Sequence, residues 1–237
     1  MLLLLIVTLS YSKDAIIIAH RGASGYEPEN TLRAFERAIQ MGAPAIELDV
    51  HLSKSGDVVV IHDYTTKDKK KVSDLTTQEL KAYDVGKGEH IPLLSEVLDQ
   101  VNQRAVINVE LKGPGTAGPV AKLINYYIKE RNWNPKKFIV SSFDHYRVQE
   151  FHRLAPSVPT GVIFESNPIG YALMATRAGA KYAVGYHEFL TPEFIKDAHA
   201  RGVHVYSYTV NDKETAQKLL NMNIDGIITN YPDLLNK

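Results

Sequence analysis

Two histidines, His20 and His62, each end a run rich in β-branched residues, and between them the stretch AIELDV carries Glu47 and Asp49 two residues apart. A further carboxylate, Glu110, precedes Lys112 by the same interval in VINVELK, and Arg21 adjoins His20. Side chains alternate along a strand, so residues two apart share a face. If Ile16 and Ile18 fill a barrel interior, His20 points the same way at the carboxyl-terminal rim. The same count sends Val60 inward with His62, pairs Glu47 with Asp49 and pairs Glu110 with Lys112. Four strands would then deliver polar groups where a structural core holds Val, Ile or Leu. Burying carboxylates and a lysine costs on the order of several kcal/mol unless they are paired or bound to an ion.

A cluster of three carboxylates without obligatory sulfur or imidazole is an oxygen site, suited to one divalent cation, Mg2+ or Ca2+, rather than to zinc. Arg21 and Lys112 are expected to face a phosphoryl group on that cation. His20 and His62 can exchange protons near neutral pH. Together these groups point to phosphodiester cleavage. His51 shares the Glu47 and Asp49 face but is expected beyond the rim and not as a ligand. Asn30, in PENT, reads as an N-cap for the first helix or as a ligand. His187, His199 and His204 show no partner pattern and read as structural or surface residues.

The elements that must position these groups alternate along the chain. Runs rich in Val, Ile and Ala at 15–19, 44–50, 57–61, 105–111, 137–141, 160–164, 181–184, 203–208 and 224–228 read as buried strands. Helix-period segments fall at 31–41, 95–102, 116–131, 145–154, 169–177, 191–201 and 212–222, some with clear stop signals such as Gly202. Strand and helix taking turns this often predicts an α/β fold, a (β/α)8 TIM barrel. The run at 57–61 follows the second strand after only Ser53-Lys54-Ser55-Gly56, which is hairpin spacing. Residues 64–91 form a small polar insertion, a cap over the barrel mouth with one short helix at 76–83, in which Lys69, Lys70 and Lys71 read as a solvated face.

Equal numbers of basic and acidic residues, 27 each, leave no net field to attract nucleic acid or an anionic membrane, so an anionic substrate needs a local site. The absence of cysteine excludes disulfides and thiolate chemistry. Residues 1–12, containing LLLLIVTL and then Ser10-Tyr11-Ser12, read as a secretory leader ahead of a single domain at 13–237, which implies export to the periplasm or medium. The alternative is a strand packed under the barrel of a cytoplasmic protein. No later stretch is apolar enough to insert stably in a membrane.

The segment IIIAHRGASGYEPENTLRAFERAIQMGAPAIELDVHLSKSGDVVVIHD, with IPLLSEVL, NVELK, SSFDH, YTVND and DGIITNYPDLL, resembles the glycerophosphodiester phosphodiesterase family, metal-dependent hydrolases on a TIM barrel. The resemblance spans essentially the whole chain after the leader. It implies His20 and His62 as the acid/base pair, Glu47, Asp49 and Glu110 as metal ligands, and Arg21 and Lys112 on the phosphate. It leaves open which histidine is the acid, and whether water or a substrate glycerol hydroxyl attacks first. The implied products are sn-glycerol 3-phosphate and an alcohol such as choline or ethanolamine.

Two departures bear on the substrate. Tyr64-Thr65-Thr66-Lys67 stands where many members have Asp-Arg-Thr-Thr, and Tyr208 replaces a usual tryptophan. Tyr208 reads equally as a pocket wall or as barrel packing, and Phe143 as a pocket wall. The alternatives are lysophospholipase D or sphingomyelinase D-like activity, which needs a longer apolar cleft, and a barrel that binds metal and phosphoester without turnover.

Overall fold

The computed structural model describes residues 15–236; the leader reading at 1–12 lies outside them. The chain runs β1 (Ile16–Ala19), α1 (Leu32–Gln40), β2 (Ala45–Leu52), β3 (Val58–Val60), α2 (Thr77–Lys81), β4 (Asp84–Gly86), β5 (Glu89–His90) and α3 (Leu94–Val101). It continues with β6 (Val106–Leu111), α4 (Ala117–Glu130), β7 (Phe138–Ser142), α5 (His145–Leu154), β8 (Thr160–Phe164) and α6 (Leu173–Ala178). β9 (Tyr182–Tyr186), α7 (Pro192–Ala200), β10 (His204–Tyr208), α8 (Lys213–Asn221) and β11 (Gly226–Thr229) complete it. β1, β2 and β6 to β11 pair in parallel around a ring that closes because β1 bonds to both β2 and β11. This is the expected (β/α)8 barrel.

Strand alternation sorts the core into two layers. Ile18, Ala45, Ile139, Ile163, Val184, Tyr206 and Ile228 fill the barrel, while Ile46, Leu48, Val50, Ile107, Val109 and Leu111 face outward under the helices. Since Ala45 is an interior residue, Glu47 and Asp49 share its phase on β2. On β6, Glu110 lies directly beside Asp49 in the parallel register. The helices start where side chains accept their free amides: Thr31 caps α1, Asp144 caps α5, Thr191 caps α7 and Asp212 caps α8.

β3 pairs antiparallel with β2, as the hairpin spacing predicts, but the inward phase expected for Val60 is wrong. Val60 packs outward with Leu94 and Val97 of α3, and Val59 joins Val72, Leu80 and Ile91 in the small core of the insertion. β3 is therefore not a barrel stave, and three barrel strands plus a loop supply the site instead of four strands. The insertion also contains the two-stranded hairpin β4–β5, which its polar composition hid. α6 starts later than expected, because Gly170 and Tyr171 take left-handed φ of 81° and 51° after Pro168.

Candidate active site

The site lies at the carboxyl ends of β1, β2 and β6. Glu47, Asp49 and Glu110 each present an oxygen, and these oxygens lie within 4.8 Å of one another. Arg21 follows β1 with φ of 54°, and this turn directs its backbone N–H onto Glu47 Oε2 at 3.0 Å. Gly22 completes the turn with φ of 78°; a Cβ there would come within 2.6 Å of the Ala34 carbonyl carbon, so only glycine fits. Arg21 Nε stands 3.3 Å from Asp49 Oδ2 and its Nη1 donates to Glu29. Lys112 Nζ reaches Glu110 Oε1 at 3.3 Å and Asp49 Oδ1 at 3.8 Å.

Burial and the neighbouring carboxylates Asp49 and Glu110 hold the Glu47 carboxyl well above its usual range. Burial, with Asp49 beside it, pushes Glu110 up to about 7. Two cations do not offset three crowded carboxylates; a divalent cation would supply the missing charge, and the hard-oxygen donor set suits such an ion. Arg21 Nε is buried with no hydrogen-bond acceptor. Such a donor, ion-paired with Asp49 at 3.3 Å but without an aligned hydrogen bond, is matched by a phosphoryl oxygen.

The two histidines are equipped differently. His20 Nδ1 lies 2.7 Å from the Asn230 amide oxygen, so Nδ1 carries the hydrogen and Nε2, 4.0 Å from Glu47 Oε2, presents its lone pair to the site. Burial and the adjacent Arg21 charge lower its pKa to about 4. His62 Nδ1 lies 2.7 Å from the Asp63 carboxylate, and its side chain is about twice as accessible as that of His20. The His62 hydrogen bond also draws the Asp63 carboxyl below its usual range.

The side chains read from the sequence thus converge on one mouth, but the partners that orient them went unread. Asn30 is no N-cap: Thr31 has that place, and Asn30 Nδ2 donates to Asp49 Oδ2 at 2.8 Å while its Oδ1 accepts the Asp49 N–H at 3.3 Å. His51 does not lie beyond the rim. It is buried on β2, and its Nε2 donates to the His62 carbonyl oxygen at 3.1 Å. Tyr64 packs edge-on against the His51 ring and donates to the Lys112 carbonyl oxygen. Gly113 closes over the ring, where a Cβ would stand 3.0 Å from Nδ1. His51 therefore fixes the backbone that carries His62, which the strand phase of β3 does not.

Tyr208 faces into the barrel, packs edge-on with Phe143 at 6.1 Å between ring centroids, and lines with it a narrow cleft floored by Ile163, Val184 and Ile228 beside His20. On the opposite side, a cavity of about 420 Å3 opens between the rim and the insertion, lined by His62, Asp63, Ile61, Lys67, Tyr83 and Val85. Lys69, Lys70 and Lys71 are exposed, Lys70 pairing with Asp68. His199 and His204, read as unpartnered, both meet Asp225 at the opposite end of the barrel, at 2.7 and 3.2 Å.

Comparison with known proteins gives this mouth a context. The model of the glycerophosphoryl diester phosphodiesterase family matches residues 20–234. A glycerophosphodiester phosphodiesterase of Caldanaerobacter subterraneus subsp. tengcongensis is 35% identical over 237 residues, covering 93% of this chain and 96% of its own. The glycerophosphodiester phosphodiesterase of Thermotoga maritima superposes with a TM-score of 0.78 at 30% identity, over 93% of this chain and 96% of that one. An Oleispira antarctica phosphodiesterase, solved with its product sn-glycerol-3-phosphate, gives 0.83 at 27% identity over 92% and 93%. The chain belongs to the glycerophosphoryl diester phosphodiesterase family.

Proposed function

We propose that this chain hydrolyses water-soluble glycerophosphodiesters to sn-glycerol 3-phosphate and an alcohol such as choline or ethanolamine, with His20 as general base and His62 as general acid. The observation that carries the assignment is the unlike pair of histidine partners, a neutral amide on His20 and a carboxylate on His62. An amide oxygen holds a neutral ring with Nε2 free to accept a proton. A carboxylate stabilises the imidazolium, which can donate one.

Glu47, Asp49 and Glu110 would hold one divalent cation, Mg2+ or Ca2+. Bound there, it supplies Lewis acidity and neutralises charge on the phosphoryl oxygens. Arg21 Nε and Lys112 Nζ bind those oxygens and orient the phosphorus. His20 Nε2 takes the proton of the attacking hydroxyl as the new O–P bond forms; attack by water gives glycerol 3-phosphate directly, and attack by the substrate's own glycerol gives a cyclic phosphodiester that water then opens to the same product. His62 gives its proton to the alcohol oxygen as the old P–O bond breaks. Phe143 and Tyr208 lie on the His20 side and suit the glycerol. The cavity beside His62 suits the departing alcohol, and its mixed lining admits more than one head group.

Assays for glycerol 3-phosphate on glycerophosphocholine and glycerophosphoethanolamine, and for released choline on lysophosphatidylcholine, which would yield lysophosphatidic acid and choline, test the reading. The expected result is turnover of the first two, abolished by EDTA and restored by Mg2+ or Ca2+. Turnover of lysophosphatidylcholine alone would move the activity to lysophospholipase D, and no turnover at all would leave a binding barrel.

A further inference from the structure

Arg147 is the third residue of α5, where a positive charge meets the positive end of the helix dipole and is disfavoured. Its side chain is nonetheless held inside, only 16% exposed, with its Nη2 at 3.3 Å from the carboxylate of Asp144. Helix stability gives no reason for an arginine at this position. Its other contacts do: Nη1 donates to the carbonyl oxygens of Leu111 at 2.8 Å and of Lys112 at 2.9 Å. Hydrogen bonds from an ionised donor are stronger than those between neutral groups.

These two carbonyls stand at the end of β6. The strand pairs with β7 as far as Glu110 and Ser141, so the ladder stops just before them. Each has a second donor from another element: Ser142 Oγ reaches the Leu111 oxygen at 2.8 Å, and Tyr64 OH reaches the Lys112 oxygen at 3.1 Å. On the β2 side, the amides of Lys112 and Gly113 donate to the Val50 carbonyl oxygen at 3.2 and 3.1 Å. The backbone of Lys112 is thus gripped from α5, from the insertion and from β2. Glu110 differs, because its register with Asp49 on one side and Ser141 on the other fixes it within the sheet.

We infer that Arg147 is a positioning residue for Lys112: by fixing the Lys112 carbonyl it places Nζ for a phosphoryl oxygen, as His51 places His62. Tyr64 joins the two devices, since it donates to the Lys112 carbonyl oxygen and packs against the His51 ring at 4.8 Å between centroids. The inference rests on the reading of Lys112 as a phosphate-binding cation, and it needs no contact between Arg147 and substrate. An arginine acting by charge alone would be replaceable by lysine. Lysine is shorter and lacks the planar fork that serves Asp144 and both carbonyls together.

The probe is glycerol 3-phosphate, its binding to the whole protein followed by calorimetry at saturating Mg2+ or Ca2+. Arg147→Met and Arg147→Lys should each weaken binding by about tenfold, as for a lost hydrogen bond from a charged group, while the Kd for the metal stays in place. Arg147→Lys carries the test if Arg147→Met does not fold. Tyr64→Phe, which removes a neutral donor, should cost about threefold. Lys112→Met, which keeps Arg21 and the metal, should lose about tenfold or more, and adding Arg147→Met to it should cost nothing further, because the side chain being placed is gone. Wild-type affinity in Arg147→Lys, or a further tenfold loss on combining the two changes, overturns the inference. An equal loss of metal affinity would assign Arg147 to Glu110 and also overturn it. A loss in Lys112→Met without one in Arg147→Met overturns the inference alone. Wild-type affinity in Lys112→Met, or a wild type that binds no glycerol 3-phosphate, overturns the proposed role of Lys112 and the inference with it.

Discussion

Replacing Asn30 by glycine removes an amide while keeping the backbone it occupies, because Asn30 has a φ of 57° that glycine adopts freely. Asn30 Nδ2 holds Asp49 Oδ2 at 2.8 Å, and its Oδ1 holds the Asp49 N–H. A hydrogen bond to a charged group contributes ~1.5–3 kcal/mol, which is about 10- to 150-fold in an equilibrium constant. Loss of a group that orients a metal ligand typically costs ~10- to 100-fold in metal affinity, the same range from an independent source. The Kd for Mg2+ or Ca2+, by calorimetry or by titrating activity with metal, should rise by that factor in Asn30→Gly. At saturating metal most of the turnover should return, since Glu47, Asp49 and Glu110 are intact. A Kd indistinguishable from wild type refutes the reasoning, as does a loss of turnover that no metal concentration restores.

Other perturbations probe the rest of the site. His51→Gln keeps an N–H donor for the His62 carbonyl oxygen and should retain most activity; His51→Phe should lower kcat more than it raises KM, and equal losses in the two variants would exclude the positioning role. Asp63→Asn should lower kcat on glycerophosphocholine by replacing the carboxylate that accepts from His62 Nδ1 at 2.7 Å; an unchanged kcat contradicts this. The folded-state pKa of Glu110, about 7 against an ordinary 4.5, lies above its unfolded value, so the metal-free protein keeps a proton there that the unfolded chain has lost. Its melting temperature in EDTA should therefore fall as pH rises from 4.5 through about 7. Added Mg2+ or Ca2+ should reverse the loss, with the larger gain above the window, and a flat EDTA profile would count against the strained cluster.

The barrel was legible because its strands are short, β-branched and buried on both faces, and because strand alternation alone groups Glu47 with Asp49 and Glu110 with Lys112. His62 was identified for a reason the structure rejects. Val60 faces α3, and the His62 loop is aimed by His51 and not by strand phase. The orienting amides were not legible as such. Asn230 lies 210 residues from His20, and only closure of β1 onto β11 makes them neighbours. Asn30 sits one position from a true N-cap, where asparagine is common for a different reason. His199 and His204 are likewise linked only through Asp225, which folding brings to them. Sequence patterns report periodicity and residue type, whereas these partnerships depend on closure of the ring.

The division of labour between the histidines is tested most directly by changing the leaving group. Glycerophosphocholine loses a poor leaving group that needs a proton, whereas the p-nitrophenyl ester of glycerol 3-phosphate loses a good one that does not. His62→Ala should lose ~10²- to 10⁴-fold in kcat on glycerophosphocholine, the range for general acid catalysis, and recover most of it on the p-nitrophenyl ester. His20→Ala should remain impaired on both. Recovery in His20→Ala but not His62→Ala, or in neither, would contradict the account.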